Sequence, residues 1–337
     1  MPQDSTDKTL RISVVMCTYN GERYLREQMD SILRQTYPVE EIVVQDDGST
    51  DGTMQILEEY AQHNAVIKVF SNDSGQHGIN ANFFSAMRRA KGDYIAISDQ
   101  DDIWELDKLR LQAEAIGNKM LCSGFSVPFS ADGFPVQVDW RRPCLHLLRN
   151  CYLSEMPGHT MLMRRDLLDY LKEGEKIRLY YDWQIACVAA AAESVAFVEK
   201  KLVNFRRHSD AATATVPVGS GIISKGAWDY VKVSLFHHRF LQNELKERFT
   251  IVKPFLEQLP FATPSLSAGV RMSELHLHKG SLWFFRRVAF FVKHSHYIFH
   301  TEERRSVVRV LRAMFFVYSC GYYYRSHLPQ KRKTTNR

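Results

Sequence analysis

Two carboxylate clusters carry the chemistry that this chain can do: Gln45-Asp46-Asp47-Gly48-Ser49-Thr50-Asp51 and Asp99-Gln100-Asp101-Asp102. Each follows a short apolar run that reads as a buried strand, Glu41-Ile42-Val43-Val44 before the first and Tyr94-Ile95-Ala96-Ile97 before the second. Open α/β sheets bind ligands at the carboxyl ends of their strands, so both clusters are aimed at one edge. Carboxylates crowded together repel unless a cation or donor groups hold them. Oxygen ligands suit Mg²⁺ or Mn²⁺, which share their shell with substrate phosphates. The expectation is metal-assisted chemistry on a phosphorylated, nucleotide-bearing substrate. The plainer readings are a strand-to-helix turn with Ser49 or Thr50 as N-cap, and a solvated acidic turn before Trp104-Glu105-Leu106.

The elements that must position these acids follow from periodicity. Arg11 to Cys17 reads as a first strand, Glu22 to Gln35 as a helix, Ile42 to Gln45 as a second strand and Thr50 to Gln62 as a second helix. Val66 to Phe70, Asn80 to Ala90 and Tyr94 to Ile97 continue as strand, helix, strand. Such alternation predicts a doubly wound, parallel-rich α/β sheet. Beyond Asp102 the pattern is mixed. Leu106 to Ile116 reads as a helix, Leu121 to Phe129 as a strand and His159 to Met163 as a strand. Asp166 to Leu171 and Asp182 to Ala192 read as helices, and Val195 to Val198 and Leu202 to Arg207 as two strands. Ser209 to Gly221 reads as a mobile loop, and from Ile222 the chain is helical, aromatic and basic.

The bulk numbers are those of a globular protein: 337 residues, 45% hydrophobic and 24% charged. The net charge of +6 is unevenly placed: Ser281 to Arg337 holds 12 Lys+Arg and 2 acids, leaving about −4 for the rest. Six cysteines at irregular spacing favour neither a disulfide framework nor a zinc site. With no apolar leader and no apolar run long enough to span a bilayer, the expected location is cytoplasmic. Basic and aromatic residues interleaved from Trp283 to Arg312 add an expectation of peripheral contact with the anionic inner face of the cytoplasmic membrane. The plain alternative is a helical extension packed on the rest. Nucleic acid is not an expected partner, since no nucleic-acid module accompanies the basic residues.

Taken together, Val14-Val15-Met16-Cys17-Thr18-Tyr19-Asn20, Asp46-Asp47-Gly48-Ser49-Thr50-Asp51-Gly52-Thr53, Ala90-Lys91-Gly92-Asp93-Tyr94-Ile95 and Asp99-Gln100-Asp101-Asp102 resemble the family 2 glycosyltransferases. The resemblance covers roughly residues 11–210, and the Asp-Gln-Asp-Asp-Ile-Trp form is similar to bacterial rhamnosyltransferase-type members. It implies a GT-A fold and inverting, metal-dependent transfer of a sugar from a nucleotide-sugar donor, with rhamnose as the candidate sugar. The implied acceptor is a glycan, lipid-linked, in surface polysaccharide biosynthesis. The implied layout is a polar tail over 1–10 and a catalytic domain over 11–210, split into a nucleotide-sugar half (11–103) and an acceptor half (104–210). A basic helical extension follows over 211–337.

Residue by residue, the resemblance places Thr18, Tyr19 and Asn20 around base and ribose, Asp47 on the base, Asp99 on the ribose or diphosphate side and Asp101 on the metal. His159, in Gly158-His159-Thr160, falls near the donor sugar. His208, in Arg206-Arg207-His208, falls where the family reaches the diphosphate or metal. An inverting transfer needs a carboxylate to deprotonate the acceptor hydroxyl. Asp182, in Tyr181-Asp182-Trp183, is the candidate, with a helix N-cap as its plainer reading. Two other functions stay open: a catalytically silent nucleotide-sugar-binding scaffold, and a nucleotidyltransferase. The last lacks the Gly-rich loop expected after the first strand; Tyr19-Asn20-Gly21-Glu22-Arg23 stands there.

Overall fold

The computed structural model describes residues 9–72, 75–133, 136, 138–173, 179–208, 236, 238–299 and 304–324. The segment 209–221, expected as a loop, lies outside them. The chain divides into two compact units. The first comprises Met1–Phe129, Met156–Leu171 and Ser194–Arg206; the second comprises Ser130–Glu155, Lys172–Glu193 and Arg207–Arg337.

The first unit is a sheet of eight strands in the order β3-β2-β1-β4-β7-β6-β8-β5. The strands are β1 (Ile12–Thr18), β2 (Glu41–Asp46), β3 (Ile67–Ser71), β4 (Tyr94–Ser98), β5 (Ile103–Trp104), β6 (Leu121–Ser130), β7 (Leu162–Arg164) and β8 (Val195–Arg207). β1 runs parallel to β2 and β4, and β2 to β3, while β7 is antiparallel to β4 and β6. β2 is buried at every position, as expected of a parallel strand covered on both faces. The covering helices are α1 (Leu25–Leu33), α2 (Thr53–His63), α3 (Ile79–Arg89) and α4 (Lys108–Ile116). α1 buries Leu25, Met29 and Ile32, which recur on one helical face. Ile12, Val14, Met16, Ile42, Val44 and Leu57 share its core.

Several expectations are corrected. Ser49 and Thr50 do not cap α2: Gly52 stands at its N-cap, and the Ser49 hydroxyl turns back to Asp46. His159 does not lie in a strand. Pro157 ends the preceding segment, and Thr160 and Met161 amides bond the carbonyls of Pro157 and Gly158, making Gly158–Thr160 a 3-10 turn ahead of β7. Arg165–Tyr170 is also 3-10 rather than α-helical. β8 is continuous where two strands were expected. The charged run Glu199-Lys200-Lys201 reads as a break, but the strand continues through it, and Lys201 pairs with Glu105 at 2.6 Å and with Asn204 at 3.1 Å. β5 is too short to show a period in sequence.

The second unit is helical: α5 (Leu147–Asn150), α6 (Tyr181–Ala191), and the helices His238–Glu257, Pro264–Leu277, Ser281–Lys293, Ser295–Ile298 and Ser306–Tyr324. α6 buries ten of its eleven residues, so its Ala-rich sequence marks a helix surrounded on all sides. Its indole Trp183 donates to the Asn150 carbonyl and lies 3.5 Å from the Arg248 guanidinium. Phe291, Ile298 and Phe299 are buried too, so the basic C-terminal helices are packed elements of this unit.

Candidate active site

Strand register sets the frame. Thr18 pairs with Asp46, Met16 with Ser98, and Asp46 with Ser71, so β1, β2, β3 and β4 end at one edge. Both acid clusters leave the sheet there.

In the first cluster Asp46 is internal. It is 2% exposed and accepts from the Thr18 hydroxyl at 2.9 Å and the Gly48 and Ser49 amides at 2.9 and 2.7 Å. Asp47 reaches outward to the segment after β3. Its Oδ1 accepts from Asn72 Nδ2 at 2.7 Å and meets His77 Nδ1 at 2.8 Å, and its Oδ2 accepts from the Gly78 amide at 2.7 Å. Gly48 has φ of 87°, a conformation that favours glycine.

The segment after β1 joins the two clusters. Gln100 clamps the Tyr19 backbone, accepting its N–H at 2.9 Å and donating to its carbonyl at 3.1 Å. Asn20, at φ 48°, donates its amide to Ser49 Oγ and accepts from the Thr50 amide. Tyr19 is 51% exposed, which leaves its ring available at the edge. The Cys17 thiol feels both clusters: burial first, then the charges of Asp99 and Asp47, push it well up from its ordinary value.

In the second cluster three donor atoms converge. One ligand atom each from Asp99, Asp102 and His159 lie within 4.8 Å of one another. His159 Nδ1 stands 3.1 Å from Asp99 Oδ2 and 3.5 Å from Asp102 Oδ2, while its Nε2 meets Ser126 Oγ at 2.8 Å. The imidazole is stacked on Phe205, with centroids 5.0 Å apart. Asp102 is fully buried; its Oδ1 accepts from the Arg206 amide at 2.9 Å, and its Oδ2 has no hydrogen-bond partner among the described residues. Burial raises the Asp102 carboxyl, and the negative charges of Asp99 and Asp101 add to it against the pull of His159. On His159, burial lowers the imidazole, but Asp102 and Asp99 outweigh it and the net direction is up. Asp99 and Asp102 share the one imidazole of His159 beside Asp101, a donor set that suits a divalent cation.

The backbone carbonyl of Asp101 is held by Arg206 Nε at 2.8 Å. Arg206 also bonds Glu27 at 2.6 Å and lies over the Tyr24 and Phe129 rings, so it acts as a strut for the acid loop. Asp182 and His208 belong to the second unit. Asp182 stands in the first turn of α6, where a negative charge complements the helix dipole, but the N-cap position is Tyr180. Its Oδ1 accepts from the Trp183 amide at 2.7 Å. His208 follows β8 and is 6% exposed. Sequence reasoning missed Asn72, His77, Gln100 and Ser126. Gln100 was visible inside its motif. The other three sit in loops or face alternation that no local pattern flags.

Residues 13–171 match the sequence family described as glycosyl transferase family 2. The dTDP-rhamnosyl transferase RfbG of Shigella flexneri is 37% identical over 198 residues, which are 57% of this chain and 56% of that protein. TuaG of Bacillus subtilis (strain 168), provisionally named a teichuronic acid biosynthesis glycosyltransferase, is 33% identical over 129 residues, 37% of this chain and 50% of that one. The chain thus spans about half the length of these curated relatives. Among solved structures, S. aureus TarS 1-349 in complex with UDP superposes with a TM-score of 0.54 at 17% identity, covering 96% of this chain and 93% of the other. That likeness establishes the fold.

Proposed function

We propose, from the match of residues 13–171 to glycosyl transferase family 2, that the protein is an inverting glycosyltransferase acting on a nucleotide-sugar donor. One observation carries the reading: two acid clusters at the carboxyl edge of β1, β2 and β4, tied together through Thr18, Tyr19 and Asn20. The nucleoside would lie on that segment. A carboxylate offers about four lone-pair sites, and three donors already reach Asp47, which leaves it able to accept one base N–H. His159, buried and bonded at both ring nitrogens, would serve the donor by holding Asp99.

Asp101, with Asp99 and Asp102 beside it and His208 as a further candidate ligand, would hold Mg²⁺ or Mn²⁺. When bound, such an ion neutralises a diphosphate leaving group. Asp182 would take the proton from the acceptor hydroxyl as that oxygen attacks the anomeric carbon from the face opposite the diphosphate. The name of RfbG supports rhamnose as the sugar and that of TuaG a polysaccharide product; the acceptor would be a glycan, lipid-linked at the cytoplasmic membrane. No described helix is long and apolar enough to cross a membrane; the contact we propose there is peripheral, through the basic and aromatic C-terminal helices.

The test is a nucleotide-sugar screen with Mg²⁺ and Mn²⁺, read by donor turnover and thermal stabilisation. A ligand at a hundredfold excess over its Kd stabilises by about 2.7 kcal/mol. Asp101→Ala is expected to abolish both metal-dependent readouts, and full activity of that variant at ordinary metal concentration would remove Asp101 from the site.

A further inference from the structure

Lys108 opens α4 and is fully buried, and none of the chemistry above uses it. Its position is costly. Burial strips the ammonium of water. The first turn of a helix carries the positive end of the dipole, which disfavours a cation. Among the described residues no carboxylate pairs with it. What Lys108 meets is the Trp104 ring, with Nζ 3.9 Å from its centroid, and Gln112 Oε1, at 2.8 Å and one turn along α4.

An ammonium only donates, so it takes the oxygen end of the Gln112 amide and turns the nitrogen end away. That Nε2 donates to the Cys122 carbonyl at 3.1 Å and to the Thr160 carbonyl at 2.8 Å, which uses both of its hydrogens. Gln112 is itself fully buried. The two carbonyls belong to the two sides of the grip on His159. Thr160 closes the 3-10 turn Gly158–Thr160 that carries the imidazole, and Cys122 lies on β6, which brings Ser126 to His159 Nε2. Trp104, against which the ammonium rests, follows Asp102 by two residues. One buried cation thus touches the acid loop and, through one amide, the histidine turn. We propose that Lys108 and Gln112 are a positioning pair: the ammonium orients the Gln112 amide, and the amide locks the His159 turn to β6 so that the imidazole faces Asp99 and Asp102. Take the donor away, and the amide loses the group that selects its direction. A side chain that costs stability and sets a functional group is the trade expected at a working site. The consequence for metal and donor rests on the function proposed above; the hold on the turn does not.

The experiment compares the intact chain with Lys108→Met, Gln112→Glu, Gln112→Leu and Lys108→Met/Gln112→Leu, by urea unfolding, amide hydrogen exchange and Mn²⁺ titration. Lys108→Met keeps the stem and deletes the charge. A packing role alone gives this variant a higher urea midpoint at pH 6 and slower exchange throughout the unit. The positioning role gives the higher midpoint with the opposite local sign. The Thr160 and Met161 amides, bonded to the Pro157 and Gly158 carbonyls, should exchange about fivefold faster or more. Gln112→Glu keeps an acceptor for Lys108 and removes both donors to the carbonyls, so it should loosen the same amides with the cation in place. Lys108→Met should add little to Gln112→Leu, because the pair acts through one amide. The Kd for Mn²⁺ should rise by about tenfold in each variant, as when the outer partners of a metal ligand are removed. Unchanged or slower exchange of the turn in Lys108→Met or in Gln112→Glu, or single-variant effects that add in full, would overturn the proposal. Failure of the wild-type chain to bind Mn²⁺ would instead remove the metal from the proposed function, and the exchange comparison would still decide for or against the pair.

Discussion

Asp182 is the one residue of α6 outside the buried set, on a helix otherwise enclosed on every side. Keeping a carboxylate there is consistent with a task at its surface rather than with packing. Asp182→Asn keeps the size and removes the base. Donor binding should hold, while transfer should slow by about 10² to 10⁴; joint loss of binding and rate would make Asp182 a donor contact or a structural group. Lys108 is a different kind of residue. It is fully buried, bonded to Gln112 Oε1 at 2.8 Å, with Nζ 3.9 Å from the Trp104 ring centroid, and burial lowers its pKa to about 7. In the unfolded chain it titrates near 10.4. Between those values the unfolded chain binds the extra proton, so stability rises with pH across that window and is lowest below about 7. Lys108→Met keeps the stem and deletes the charge. After the lost hydrogen bond it should gain about 2–3 kcal/mol at pH 6, closing by pH 10, in urea titrations at both pH values.

Elements were legible where a period repeats and a turn residue punctuates it. Ala90-Lys91-Gly92-Asp93 leads into β4, and the structure gives the reason for its glycine. A Cβ at Gly92 would stand 2.6 Å from the Arg11 carbonyl oxygen and 2.8 Å from the Ser13 amide, both backbone atoms that cannot swing away. Gly92→Ala should therefore cost about 1–3 kcal/mol by forcing β1 and β4 apart, visible as a lower urea midpoint. The helix α6 and the alternation from β1 to β4 were read correctly to within a few residues for the same reason. The failures share another cause. β8 was split at three charged residues, whereas the strand runs on through them and pairs with β5 just beyond, with Lys201 meeting Glu105 on that distant segment. His159 was placed in a strand with the apolar run Met161 to Met163, whereas it lies in the 3-10 turn Gly158–Thr160 that follows Pro157. In the candidate site, the acids were legible from motif and strand end. The groups that hold them were not: His77 and Asn72 reach Asp47 from about thirty residues away, and Ser126 reaches His159 across strands. Long-range partners leave no local signal.

At the scale of the whole molecule, the two units are interleaved along the chain, and the candidate base lies on the helical one. There α6 is bound to the C-terminal helices: the Thr263 hydroxyl donates to the Ala191 carbonyl, and the Ser265 amide donates to Glu193 at 3.0 Å. The basic C-terminal region is therefore architecture as well as charge. Removing the residues from Ser281 onward would also take away the buried Phe291 and Ile298 and the Ile298 carbonyl that Arg149 holds, so the contact must be tested with the chain intact. From Ser281 to Arg337 the sequence carries 12 Lys+Arg against 2 acids. Arg286, Lys293, Arg304 and Arg305 are exposed, as are Val307, Val310 and Leu311. Each basic residue near an anionic bilayer contributes about 1 kcal/mol, and the attraction fades as the Debye length shrinks from about 10 Å at 0.1 M salt to about 3 Å at 1 M. The full chain should co-sediment with anionic vesicles at low salt, dissociate at high salt and ignore neutral vesicles throughout. Reversing Arg304 and Arg305 to Glu should weaken sedimentation while leaving the thermal midpoint unchanged, because both side chains are solvent-exposed. If the wild-type chain ignores anionic vesicles even at low salt, the excess charge serves the packed helices rather than a membrane surface.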